Sequence, residues 1–156
     1  MSDDIKFCLK LKLKTGLITP EEIQVWANKK ILEDSEDELA LDICFLGSKA
    51  EVEDYFNKLI WSYLDVYDES LISINILKEY IEKNIKLTNV DLDEYIKNIV
   101  LISWHINDED LTWLVNIHNA QVDLAYSKVI PISVEEAFNE FLQHLNQWLK
   151  KLFSIM

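Results

Sequence analysis

The sequence contains no arginine and has only two glycines and two prolines. Arginine provides the planar set of donors that proteins use to bind phosphate and carboxylate groups, so its absence argues against nucleic acid and anionic substrates as ligands. The frequent Ile, Lys and Asn residues are typical of an AT-rich genome, which weakens this argument. Two glycines cannot form a glycine-rich phosphate loop. Sheet-rich folds need turn residues at short intervals, so the scarcity of Gly and Pro favours long helices.

The charge of the chain is strongly one-sided. It has 28 acidic residues against 15 lysines, which gives a net charge of −13 in 156 residues. A surface this negative repels nucleic acid and anionic lipid, and it attracts basic proteins or cations. We therefore expect a basic protein partner, and neither nucleic acid nor a membrane.

Signals for export or membrane insertion are also missing. The chain begins Met1-Ser2-Asp3-Asp4, without an apolar leader, and it has no run of 18 apolar residues. Cys8 and Cys44 have no metal or redox spacing and lie among apolar neighbours, which predicts buried free thiols in a reducing compartment. These features predict a cytoplasmic protein.

Helix-start signals recur along the chain. The fullest is Ile18-Thr19-Pro20-Glu21-Glu22-Ile23, which combines a capping box, a proline at the first helical position and a hydrophobic staple. Four other pairs have the same i, i+3 spacing ahead of apolar-periodic runs. They are Ser35 with Glu38, Ser48 with Glu51, Asp91 with Glu94, and Ser133 with Glu136.

The periodic runs behind these signals predict an all-α bundle of seven or eight helices. An apolar fraction of 49% in 156 residues is enough for one domain, residues 1–156, with its own core. Gly16 and Gly47 are expected at left-handed helix C-caps. The last helix has the longest apolar stripe, so Phe138 and Phe141 are expected to be buried with Leu145 and Leu149. The predicted helices cover 4–14, 20–31, 36–46, 49–65, 70–84, 92–106, 109–127 and 134–153.

The first helix is ambiguous. From Ile5 to Leu13, apolar residues alternate with Lys and Cys, which is the period of a strand. Gly16 as a stop signal, the lysines near the end of the segment and the lack of a partner strand favour a helix. We predict a helix, with a minor strand over 5–13 as the open alternative.

No motif has the arrangement of a catalytic or metal site. His105, His118 and His144 lie on three different predicted helices, and no two have the i, i+4 spacing of paired ligands. His105 near Asp108 and Asp110 could form a metal corner, but a histidine at an ordinary helix end is the favoured interpretation. We expect no catalytic residues, no metal and no cofactor, and rank an enzyme last among the functions considered.

Two acidic clusters are the candidate partner-binding residues. The ordinary interpretation is a solvated loop and acids that favour a helix start; the functional one is a docking face for a basic partner. The lysines are concentrated elsewhere, with six in the first 30 residues, so we expect an uneven surface charge. Among the tryptophans, Trp104 and Trp148 are expected in the core, whereas Trp61 and Trp113 lie off the apolar stripes and are candidates for an exposed patch. The first cluster is Glu33, Asp34, Glu36, Asp37, Glu38 and Asp42, and the second is Asp108, Glu109 and Asp110.

The segment from Lys14 to Ile23, KTGLITPEEI, continuing to Trp26-Ala27, resembles the opening of a family of small, uncharacterised bacterial helical proteins. Some of these relatives lie among the immunity-type genes found beside bacterial toxins. The resemblance covers about the first 60 residues. It implies a bacterial helical protein that neutralises a toxin, and it assigns no functional residue.

Two functions follow from these observations. The first is a non-enzymatic binding protein, in concrete form an immunity protein or antitoxin that occludes the active surface of a basic toxin. The alternative is a homodimeric structural or regulatory helical module, suggested by the high apolar fraction and the off-stripe tryptophans.

Overall fold

The structure, a computed structural model, describes residues 2–59, 64–84 and 92–155. These residues contain eight α-helices and no strand, which confirms the all-α prediction. None of the helices in these ranges is long and apolar enough to cross a membrane. The helices are α1 (Ser2–Lys14), α2 (Pro20–Glu33), α3 (Glu38–Cys44), α4 (Lys49–Asn57), α5 (Val66–Asn84), α6 (Leu92–Ser103), α7 (Glu109–Tyr126) and α8 (Val134–Ile155).

The chain divides into two units, Met1–Ile72 and Ser73–Met156. The division falls inside α5. The expectation of one domain over residues 1–156 stays a prediction.

Helix α1 has strand-like alternation because it is buried on more than one side. Phe7, Leu9 and Leu11 are all buried, and so is Lys10 between them. The Lys10 ammonium donates a hydrogen bond to the Leu59 carbonyl, which satisfies part of its charge inside the protein. Lys10 therefore adds nothing to the lysine-rich surface that the sequence predicts.

Local capping chemistry fixes the junction between α1 and α2. Gly16 has a φ of 77°, and α1 ends in a Schellman motif in which the Leu17 N–H donates to the Lys12 carbonyl at 2.9 Å. The predicted capping box of α2 is complete, since the Thr19 hydroxyl accepts from the Glu22 N–H while the Glu22 carboxylate accepts from the Thr19 N–H. Ser48 and Ser133 cap as predicted, each accepting from the backbone N–H three residues on.

Two cap predictions are wrong. The cap of α3 is Asp37 rather than Ser35, because residues 34–37 form a turn in which the Asp34 carboxylate accepts the Glu36 N–H at 3.1 Å. Gly47 has no left-handed backbone; its N–H donates to the Glu51 carboxylate at 2.7 Å instead. Asp91 lies outside the described residues.

Helices α4 and α6 end three or more residues earlier than predicted. Helix α4 ends at Asn57, because its last turn tightens and the Leu59 carbonyl accepts from Lys10. Helix α6 ends at Ser103, whose hydroxyl donates back to the Ile99 carbonyl at 2.8 Å. The predicted ends at 65 and 106 were therefore too late.

One core cluster of the first unit is mainly aliphatic and includes the ring of Phe56. Helices α2 and α3 pack against each other, and α4 packs on both α1 and α2. Cys8 and Cys44 are not disulfide-bonded and are only half-buried, contrary to the expectation of full burial. The buried residues of this core are Leu9, Ile23, Ala27, Leu39, Ala40, Ile43, Val52 and Phe56.

The core of the second unit contains a chain of rings. Tyr80 stacks on Tyr95, Tyr95 meets the edge of Phe138, and Phe141 stacks on His118. Phe138 and Phe141 are buried as predicted, together with Leu145 and Leu149. Trp104 was expected in the core, yet it is 74% exposed because α6 ends just before it.

Candidate partner-binding surfaces

The first acidic cluster forms one continuous stretch of surface. It runs from the last residue of α2 through the turn and along α3. Five of its six side chains are exposed, and Asp37 is half-buried. We call these residues the α2–α3 acidic surface: Glu33, Asp34, Glu36, Asp37, Glu38 and Asp42.

Half of these acids have structural partners. The Asp37 carboxylate accepts the Ala40 N–H at 2.8 Å as the cap of α3, and the Asp34 carboxylate holds the turn before it. Asp42 accepts a hydrogen bond from the Tyr55 hydroxyl at 3.3 Å. Burial, together with the Asp42 carboxylate, raises the pKa of Tyr55 to about 12, so this hydroxyl stays protonated and remains a donor.

The other three acids are unengaged. The carboxylates of Glu33, Glu36 and Glu38 make no hydrogen bond or ion pair with another described residue. Their charge is therefore available to a partner, whereas Asp37 is committed to the fold. The sequence had placed the cap at Ser35 and had treated Glu38 as part of it.

Two exposed apolar side chains flank the α2–α3 acidic surface. Leu32, in the last turn of α2, is 88% exposed, and Phe45, at the end of α3, is 80% exposed. Interfaces combine charge with anchoring apolar groups, so these two residues extend the candidate surface beyond its acids. Neither residue stands out in the sequence, because each lies beside another apolar residue and only the fold decides which of the two is the more exposed.

The second acidic cluster lies in the second unit and is divided in role. Asp108 caps α7, accepting the Leu111 N–H at 2.9 Å, and it also accepts from the Trp148 indole on α8 at 3.1 Å. Glu109 and Asp110 are exposed in the first turn of α7. Asp108 is thus a structural residue that ties α7 to α8, and only its two neighbours are open to a partner.

A groove runs between α7 and α8 beyond this cap. Its cavity volume is about 380 Å³. Trp113 was predicted as a candidate for exposure, and it lines the groove with 67% of its surface exposed. Trp61, the other candidate, lies outside the described residues. The groove is lined by Trp113, Leu114, Ile117, His118, Gln121, Glu140, Phe141 and His144.

His118 forms the floor of this groove. It is 1% exposed, and its ring stacks on Phe141 with centroids 4.4 Å apart. Among the described residues, neither ring nitrogen has a hydrogen-bond partner of normal geometry, although the Ala137 backbone lies close to the ring. Burial lowers the pKa of His118, although the nearby Ala137 backbone opposes part of that shift, so the floor of the groove is uncharged at neutral pH.

Neither surface contains the elements of a metal centre. Within residues 2–59, 64–84 and 92–155, no three His, Cys, Asp or Glu side chains are placed to hold a metal ion. His105 and Asp108 do not form the metal corner considered from the sequence. Both surfaces combine negative charge with exposed apolar side chains. This combination is suited to binding a protein.

Comparison of the chain with models of protein families, with curated proteins and with solved structures finds no match.

Proposed function

We propose that this protein is a non-enzymatic acidic binding protein that engages a basic protein partner through the α2–α3 acidic surface. One observation carries the proposal: Glu33, Glu36 and Glu38 are exposed and unengaged in a chain of net charge −13. Three carboxylates without a hydrogen bond or ion pair, all within six residues, create a local negative potential that attracts a cationic surface and speeds encounter. Leu32 and Phe45 supply the apolar contacts that slow dissociation.

The concrete form of this function is an immunity protein or antitoxin in the bacterial cytoplasm. The resemblance of the segment from Lys14 to Ala27 to the opening of immunity-associated proteins motivates it. An acidic surface placed over the cationic active-site cleft of a toxin would occlude its substrate without any chemistry of its own.

A homodimeric module is the second candidate, and the exposure of Trp113 and Trp104 favours it. Apolar side chains of this size are seldom left in solvent unless they form a contact. The net charge of −13 on each copy opposes the association. Sedimentation equilibrium distinguishes a monomer from a dimer, because a dimer would show twice the monomer mass of 18.4 kDa.

The test of the acidic surface uses charge reversal with a matched control. The variant Glu33→Lys/Glu36→Lys/Glu38→Lys leaves the Asp37 cap intact. The control, Glu21→Lys/Glu82→Lys/Glu135→Lys, changes the same number of exposed glutamates elsewhere and reaches the same net charge. The partner is captured from the native host with wild-type protein, and association rates are then measured for all three proteins.

We expect the surface variant to associate about tenfold more slowly than the control at low salt, since steering depends on where the charge lies. The wild-type rate should fall as salt rises, because the Debye length shrinks from about 10 Å at 0.1 M to about 3 Å at 1 M. Recovery of an acidic partner, or equal rates for the two variants, would refute the proposal.

A further inference from the structure

Helix α7 carries a second apolar stripe on its exposed side. Its buried stripe includes Leu111 and Val115. Trp113, Ile117 and Leu124 are 67%, 38% and 40% exposed, and their spacing of four and seven residues places them along one face. From Trp113 to Leu124 the stripe is about 16 Å long, which matches three turns of a helix.

Trp113 and Ile117 of this stripe line one wall of the groove, and α8 forms the other. Phe141 and His118 make an apolar, uncharged floor, while Glu140 and His144 line the opposite side. A groove with an apolar floor and an exposed aromatic wall is the shape that receives the apolar face of an amphipathic helix.

The formal charges on α7 and on residues 134–149 of α8 are all negative. Helix α7 contains no lysine, and neither do residues 134–149 of α8. Glu109 and Asp110 lie one turn before Trp113, Asp123 lies beside Leu124, and Glu140 lines the α8 wall. A second copy that docked through the same face would bring the same acids against these, so charge complementarity favours a cationic helix as the occupant.

We propose that the groove between α7 and α8 binds a basic amphipathic helix of a partner protein, with its apolar face on Trp113 and Ile117 and its basic side chains against Asp110 and Glu140. The proposal goes beyond the α2–α3 acidic surface, because it depends on different residues in the other unit. The two proposals can therefore be tested independently.

The probe is an 18-residue designed peptide with leucines in a helical stripe and lysines on the other positions. Two control peptides separate the contributions. One has the same composition in scrambled order, without a stripe, and the other has glutamate in place of every lysine. Affinities are measured by fluorescence anisotropy, and the Trp113 indole N–H is followed by NMR after assignment with Trp113→Phe.

The protein variants are matched in the same way. Trp113→Ser/Ile117→Ser removes the groove wall, and Trp104→Ser/Val129→Ser removes two exposed apolar residues elsewhere in the same unit. Asp110→Lys/Glu140→Lys reverses the groove acids, and Glu21→Lys/Glu82→Lys gives the same net charge elsewhere. The α2–α3 triple variant is measured in the same assay.

We expect the striped basic peptide to shift the Trp113 indole signal. Its Kd should be about tenfold lower than that of either control peptide. Both groove variants should lose about tenfold in affinity relative to their matched controls. The α2–α3 triple variant should lose no more than a charge-matched control. That result would support the groove whether or not the acidic surface binds its own partner.

Three outcomes would overturn the groove proposal. Equal binding of the scrambled peptide would show that only net charge is recognised. Equal losses in groove and control variants would place the peptide elsewhere. A wild-type dimer that Trp113→Ser/Ile117→Ser converts to monomer would identify the occupant as a second copy of this chain.

Discussion

His118 is the residue whose burial is hardest to reconcile with stability alone. It is polar and 1% exposed, it lies among aromatic and aliphatic side chains, and neither ring nitrogen makes a hydrogen bond of normal geometry with another described residue. A buried polar group without a hydrogen bond costs about 1–3 kcal/mol. Stacking against the Phe141 ring offsets part of that cost through packing.

This environment makes stability depend on pH in a definite direction. Because burial lowers the pKa of His118 below its ordinary 6.5, the unfolded chain takes up a proton before the native protein does. The free energy of unfolding contributed by this residue therefore falls as the pH drops through 6.5, and it levels off below the native pKa.

Replacing His118 with Phe should stabilise the protein by about 1–3 kcal/mol, since the substitution removes the unpartnered nitrogens and keeps a ring against Phe141. The gain should be larger at pH 5 than at pH 8, because the proton uptake of the unfolded histidine is lost as well. Urea titration of wild type and variant at both pH values measures the difference.

The control is His144→Gln, which removes a half-exposed histidine from the same groove. At pH 8 it should change stability by less than about 0.5 kcal/mol, as expected for an exposed position. A gain from His118→Phe that is the same at pH 5 and pH 8 would show that the buried ring does not titrate as its surroundings imply.

At the scale of the element, the start of α3 shows how neighbouring acids take different roles. Asp37 supplies the cap, Asp34 holds the turn before it, and Ser35 remains exposed without a hydrogen bond. The Asp34 turn uses the Glu36 N–H, so the helix starts two residues later than a Ser35 cap would require. Ser35 and Glu38 have the same i, i+3 spacing as the true capping pairs, yet this spacing did not identify the cap of α3.

Asp37→Ala should destabilise the first unit by about 0.5–2 kcal/mol, because it leaves the Ala40 N–H at the start of α3 without its acceptor. Ser35→Ala, the matched control, should change stability by less than about 0.5 kcal/mol, as expected for an exposed position. Denaturant titration of both variants tests the pair. A larger loss for Ser35→Ala would restore the cap that the sequence pattern suggested.

For the whole molecule, the dominant quantity is the net charge of −13. Like charges on a compact chain repel one another and reduce the stability of the folded state. Salt screens this repulsion, since the Debye length falls from about 10 Å at 0.1 M to about 3 Å at 1 M.

The free energy of unfolding in urea should therefore rise with added NaCl. The variant Glu21→Lys/Glu82→Lys/Glu135→Lys should gain less from salt, because three changes of two charges each reduce −13 to −7. The two salt series are compared by their urea midpoints. If both proteins gain equally, the salt effect does not come from self-repulsion.

The sequence by itself determined the helical architecture, because the signals that set it are local. The Thr19–Glu22 capping box, the glycine at the end of α1 and the helical period of the apolar residues act over a few positions, and all three are seen in the structure. The acids of the α2–α3 acidic surface could also be identified in advance, since a charge run is visible without a fold.

Only the tertiary structure decided which side chains are buried and which remain available. It placed Lys10 inside and Leu32, Phe45 and Trp104 outside, against the ordinary preference of each residue type. It also committed Asp37 and Asp108 to caps and formed the α7–α8 groove over His118. The physical reason is that helical period gives the width of an apolar face, while burial depends on what packs against that face, and no local pattern contains the packing partner.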